Sequence, residues 1–177
     1  ELAKEKEGYL FPDTYFVSPA IKPEALIEKM VKTFNEKISS VPGLATSTQS
    51  LKDVITMASI VEREARAMES RKIIAGILWR RIKIGMPLQV DVSFAYINGK
   101  HTFNLTLADL KIDSPYNTYL YKGLPPGPIG NPGLDSILAT INPTETKYLF
   151  FLTGHDGKMY YAQTFEQHKR NKALHLN

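Results

Sequence analysis

A chain of 177 residues with 43% hydrophobic and 23% charged residues has the length and balance of one packed globular domain. It holds no cysteine, which excludes a disulfide framework and Cys-ligated zinc, and no apolar run long enough to span a bilayer. The net charge of +4 is a mild basic excess, consistent with plain solubility and with affinity for an anionic polymer.

The opening Glu1-Leu-Ala-Lys-Glu-Lys-Glu7 has neither an initiator Met nor a signal-like segment, and reads as the middle of a longer protein. Gly8 to Val17 is aromatic-rich and broken by Pro12-Asp13, which predicts two short extended pieces around a turn. Pro23 opens a helix whose stripe runs through Ala25, Leu26, Met30, Val31 and Phe34. Ser39 to Ser50, with Pro42-Gly43 and a Ser/Thr run, is a loop. Ser50 then offers an N-cap, with Asp53 as its acidic partner three residues on, for a helix from Leu51 to about Ala67.

A further helix from Arg71 to Ile84 carries Ile73, Ile74, Ile77, Leu78 and Ile82, and stops at Gly85 before Pro87. Leu88 to Ala95 resumes as a strand or an irregular segment, Asn98-Gly99 marks a turn, and Thr106 to Leu110 a short helical piece. Between Ser114 and Gly133 five prolines alternate with four glycines, a density that dictates a rigid, irregular path. Asp135 to Ile141 is a short helix ended by Asn142-Pro143. Tyr148–Thr153 and Lys158–Gln163 form a hairpin across Gly154-His155-Asp156-Gly157, and Phe165 to Leu176 a basic terminal helix. Helices and hairpins without βαβ alternation argue for an α+β fold: one mixed domain over residues 1–177, a central helix, short strands and a Pro/Gly-rich irregular segment.

Three places carry candidate chemistry. In Ala58-Ser-Ile-Val-Glu-Arg-Glu64, helical geometry sets Glu64 over Val61, Ile60 and Met57. A carboxyl on an apolar row is desolvated and holds its proton towards neutrality, the requirement for a general acid in glycosidic cleavage. Glu62 lies roughly 160° further round, with Arg66 one turn on as a candidate ion-pair partner. Periodicity alone leaves open that both carboxylates face water or pair with Arg63 and Arg66. In Leu88-Gln-Val-Asp91, an extended chain would project Gln89 and Asp91 from one side as a polar pair for a sugar, or simply as a solvent face. Tyr116-Asn-Thr-Tyr119 and Tyr121 supply rings and amides, the materials of a carbohydrate groove or of a packed loop. His101, His155, His168 and His175 fit no metal-binding spacing, no Ser sits in a nucleophile elbow, and no phosphate-cradling loop is present, so neither a metal nor a cofactor is expected. The basic residues are scattered rather than striped, which argues against nucleic acid.

Read in order, Glu7-Gly-Tyr-Leu-Phe-Pro-Asp-Thr-Tyr15, Ala58-Ser-Ile-Val-Glu-Arg-Glu64, Leu88-Gln-Val-Asp91, Ser114-Pro-Tyr-Asn-Thr-Tyr119, Gly123-Leu-Pro-Pro-Gly-Pro-Ile129 and Asn131-Pro-Gly133 strongly resemble the MltG (YceG-like) endolytic murein transglycosylases across essentially the whole chain. The resemblance implies a lytic transglycosylase that cuts the MurNAc–GlcNAc bond inside nascent peptidoglycan strands, leaves a 1,6-anhydro-MurNAc end and so terminates glycan elongation. It places the family's catalytic carboxyl, the second Glu of Ile-Val-Glu-x-Glu, on Glu64. Gln89, Asp91, Tyr116, Asn117, Tyr119 and Glu62 are then the candidate substrate contacts. It further implies an upstream transmembrane helix and a small LysM-like subdomain, neither within this chain. The full-length protein would be anchored at the extracytoplasmic face of the bacterial cytoplasmic membrane, working with cell-wall synthesis machinery. One departure lies near the end, where family members often carry a His-x-Phe-type pattern and this chain has Met159-Tyr-Tyr161. The competing expectations are a muramidase-type hydrolase, with Asp91 or Glu62 as second carboxylate, and a non-catalytic glycan-binding module.

Overall fold

The computed structural model describes residues 1–100 and 104–176. His101 therefore lies outside the described residues. In chain order the elements are α1 (Leu2–Glu5), α2 (Pro23–Ser39), α3 (Leu51–Glu64), α4 (Met68–Lys83), α5 (Val92–Ile97), a 3-10 turn (Asp109–Lys111), α6 (Leu134–Ile141), β1 (Phe150–Thr153), β2 (Met159–Ala162) and α7 (Phe165–His175). The class is α+β and mostly helical, with one antiparallel hairpin in which Phe150 pairs with Ala162 and Thr153 with Met159.

Helix α3 is the axle of the fold. Its start is set locally: Ser50 Oγ accepts the Asp53 amide at 3.1 Å and donates back to the Asp53 carboxylate at 2.7 Å. Every residue from Val54 to Val61 is then buried, so this helix is enclosed on all sides rather than on one stripe. Met57, Ile60 and Val61 enter a core with Ile74, Ala75 and Leu78 of α4, Leu88, Val90 and Ile129. Val54, Ile55 and Ala58 enter a second with Phe11, Phe34 and Ile137. Each fully buried aliphatic side chain here stabilises the fold by about 1.5–3 kcal/mol. Helices α3, α4 and α6 pack against one another, and α7 covers the hairpin, its own start fixed by a Thr164/Gln167 capping box.

The irregular segment is pinned at chosen points. Ser59, inside α3, accepts the Ile129 amide at 3.0 Å. Asn131 Oδ1 accepts the amides of Gly8 and Leu10 at 2.8 and 3.1 Å, tying the N-terminal strap onto the Pro/Gly wall. The approach at Gly8 demands glycine: φ is +90°, and a Cβ would stand 2.4 Å from Pro128 Cγ.

Four expectations are revised. Gly8–Val17 follows an irregular path without strand pairing, held by Asn131 and by the Tyr9–Phe34 edge contact. Helix α3 ends at Glu64, three residues early, because Ala65 turns extended (φ −147°, ψ 154°) and its carbonyl accepts Arg71 Nε. Helix α4 in turn starts at Met68 rather than Arg71. Val92–Ile97 is helical, not a strand, with Asp91 at its N-cap position and Ser93 Oγ bonded back to the Val90 carbonyl.

Candidate active site

Glu64 is the last helical residue of α3, and the early end of the helix decides its surroundings. It is half-buried above the fully buried Val61, Ile60 and Met57, and among the described residues its carboxyl makes no hydrogen bond or ion pair. Burial pushes its pKa up to about 7, the neighbouring Asp91 charge pushes the same way, and Arg81 pulls against both. This carboxyl therefore holds a proton near neutrality and, among the described residues, has no partner to give it to.

Asp91 reaches Glu64 through backbone zippering rather than through a strand. The Gln89 amide donates to the Thr118 carbonyl at 3.0 Å, and Thr118 Oγ1 accepts the Val90 amide at 3.0 Å. That seam lines the 88–91 turn against the wall segment Asn117–Tyr119 and brings the Tyr119 hydroxyl onto Asp91 Oδ1 at 2.5 Å. Burial and this acidic neighbour raise the Tyr119 pKa, so its hydroxyl stays a donor. Gln89 adopts φ +48°, a left-handed conformation uncommon outside glycine, and its side chain is exposed. The extended-strand picture, with Gln89 and Asp91 on one side, is thereby replaced by a tight turn.

The other candidates divide. Tyr116 is half-buried, tilted against Tyr96 with ring centroids 4.6 Å apart, beside the first core cluster. Asn117 is fully buried, and its amide is spent on the wall: Nδ2 donates to the Leu110 and Ile112 carbonyls at 3.1 and 2.8 Å, and Oδ1 accepts the Tyr119 amide. The sequence leaves it open between a sugar contact and a packed loop; in the structure its amide bonds hold the wall segment that carries Tyr119. Glu62 is committed elsewhere too, accepting Arg71 at 2.9 Å and the Gly133 amide at 2.9 Å. Its partner is Arg71 rather than Arg66, because the turn after Glu64 carries Arg66 away and brings α4 back.

Sequence reasoning missed Arg81. The residue is 5% exposed, donates to the Leu88 and Leu149 carbonyls, and lies with its guanidinium 5.3 Å from the Phe150 ring centre. The signal was present: position 81 falls four after Ile77 and three after Leu78, inside the apolar stripe of α4. Among the described residues no group of three or more His, Cys, Asp or Glu is arranged to hold a metal. A separate open recess of about 390 Å³ lies between Lys52 and Thr56 of α3, Trp79 and Ile82 of α4, and Leu124–Pro126, two turns and more before Glu64.

The sequence model of the YceG-like family matches residues 1–174. An endolytic murein transglycosylase of Streptococcus pneumoniae D39 is 40% identical over 178 aligned residues, covering 97% of this chain and 32% of its own length. One of Bacillus subtilis 168 is 39% identical over 173, covering 97% of this chain and 48% of its own. The chain thus spans between about a third and about a half of these relatives. The crystal structure of a YceG-like protein from Listeria monocytogenes superposes with a TM-score of 0.86 at 37% identity, over 93% of this chain and 55% of that one.

Proposed function

The chain belongs to the YceG-like family, and from that premise we propose that it is the catalytic part of an endolytic peptidoglycan lytic transglycosylase, with Glu64 as its acid and base. One observation carries the reading: a half-buried carboxyl with a pKa near 7, unpaired among the described residues, at the end of the central helix. Protonated Glu64 donates to the glycosidic oxygen between MurNAc C1 and GlcNAc O4, and the C1–O4 bond breaks with GlcNAc leaving as its 4-hydroxyl. The carboxylate then takes the proton of the MurNAc C6 hydroxyl as that oxygen bonds to C1. The 1,6-anhydro ring closes, Glu64 is protonated again, and no water is consumed.

Asp91 supplies the negative charge that favours the electron-poor sugar carbon as the bond breaks, held in place by Tyr119. The Tyr116 ring and the exposed Gln89 amide are the substrate contacts in this proposal, with Asn117 and Glu62 bracing the wall they stand on. The nearness of Asp91 to Glu64 also supports a second reading, a muramidase in which Asp91 activates water. The full-length protein is proposed to be membrane-anchored at the extracytoplasmic face, acting on nascent strands alongside the cell-wall synthesis machinery. Among the described residues no helix is long and apolar enough to cross a membrane, so an anchor would lie outside them. Incubation of Glu64→Gln with purified sacculi tests the proton-transfer role. Soluble muropeptide release should fall by about 10²–10⁴-fold with the fold intact; a folded variant as active as the parent would refute it.

A further inference from the structure

An arginine that is only 5% exposed normally has a carboxylate bonded to it, because an uncompensated charge away from water is expensive. Arg81 has none. Its hydrogen bonds run to two main-chain carbonyls: Leu88, at the head of the turn that carries Asp91, and Leu149, at the foot of β1. The Phe150 ring lies against the guanidinium, and His168 of α7 stacks on that ring at 5.4 Å. Glu64 and Tyr119 stand within its electrostatic reach. Arg81 thus acts on Glu64 against the neighbouring Asp91 charge without bonding to the Glu64 carboxyl.

We propose that Arg81 is a positioning residue of this site, bracing the Asp91 turn against the hairpin while supplying the positive field that limits how far Glu64 and Asp91 repel each other. This rests on reading Glu64 as the proton donor. The groups facing Glu64 are Asp91 at the start of α5, Tyr119 from the wall and Arg81 from α4. Those facing Arg81 are Glu64, Tyr119 and His168, the last with its own pKa lowered by burial, Lys172 and Arg81. Burial and the neighbouring Lys172 and Arg81 charges favour neutral His168, and Arg81 is the cation whose charge opposes Asp91 at Glu64. Removing that charge leaves burial and Asp91 acting unopposed on Glu64, which then keeps its proton to higher pH.

The test is the titration of Glu64 by side-chain ¹³C NMR, its resonance assigned with Glu64→Gln, in the parent, Arg81→Gln and Arg81→Lys. The parent should titrate near pH 7, Arg81→Gln about one unit higher, and Arg81→Lys close to the parent. The alkaline limb of the pH–rate profile should move in step. Both variants should melt earlier, since neither restores both carbonyl contacts; unchanged melting in both overturns the bracing half. A folded Arg81→Gln protein with Glu64 at the parental midpoint overturns the electrostatic half. If Arg81→Gln does not fold, Arg81→Lys decides alone, and a one-unit shift despite the retained charge refutes the idea. A parent that leaves peptidoglycan uncut defeats the proposed activity, yet the titration still decides the role of Arg81.

Discussion

Replacing Glu64 by Gln should stabilise the protein while disabling it, and the stabilisation should depend on pH in one direction only. The folded carboxyl has its pKa raised from 4.5 to about 7, so the folded state binds the proton more tightly than the unfolded chain does. Below about pH 4.5 both states are protonated and Glu64 costs nothing on this account. As pH rises towards 7 the unfolded chain ionises first, and native stability is progressively lost until the folded group ionises too. The loss is then complete. At 1.36 kcal/mol per unit the full difference comes to about 3 kcal/mol, which we lower to about 2–3 because the side chain is only half-buried. Gln pays no such penalty at any pH. Urea titrations of parent and Glu64→Gln at pH 4.5 and pH 8.5 should therefore give nearly equal unfolding free energies at the acid end, and a gain for the variant of about 2–3 kcal/mol at the alkaline end. In thermal terms that is a rise of roughly 5–10 °C at pH 8.5 for a chain of this size. Equal stabilities at both pH values would show that Glu64 is not desolvated, and would remove the physical basis for its role as an acid.

Asp91→Asn takes away a charge that raises the Glu64 pKa, so the alkaline limb of the pH–rate profile should move to lower pH, opposite in sign to Arg81→Gln; a limb that stays put would separate the two groups. Glu62→Gln should cost about 1–3 kcal/mol in urea unfolding, because part-buried Arg71 loses its 2.9 Å carboxylate partner and keeps only the longer contact to Asp135 at 3.6 Å, while the residual activity of the folded enzyme keeps the parental pH profile. Gly8→Ala should lower stability by more than about 2 kcal/mol, since the new methyl meets the Pro128 ring at a backbone angle that only glycine takes easily; a parental melting curve would refute the packing described there.

Much of the framework follows from short-range rules that the chain obeys openly. Ser50 and Asp53 start α3, the row Met57, Ile60 and Val61 gives it a buried face, and Gly154–Gly157 turns the hairpin, so these elements are legible residue by residue. The same periodicity sets Glu64 on an apolar row but leaves its role open, and the resemblance to the family is what singles it out. What escapes sequence reasoning depends on distant partners. Ala65-Arg66-Ala67 favours helix, and only the reach of Arg71 back to the Ala65 carbonyl explains why α3 stops where it does. Val92-Ser-Phe-Ala-Tyr-Ile97 has strand composition, yet it closes a short helix against α3 once Thr118 has seized the preceding turn. Asn117 looks equally suited to a sugar and to a loop clamp, because composition does not say which way an amide turns. Arg81 escapes as well, because a basic residue in the last turn of a helix looks ordinary, although its place in the apolar stripe marks it.

The central claim, that the Glu64 carboxyl breaks a glycosidic bond without water, is tested most directly by the chemistry of the product. Sacculi digested by the full-length enzyme in ¹⁸O-labelled water can be separated into muropeptides and weighed by mass spectrometry. The expected result is a set of internally released fragments ending in 1,6-anhydro-MurNAc, with no ¹⁸O at the new ends. Reducing MurNAc ends carrying one ¹⁸O would contradict it, and would assign Asp91 to the activation of water.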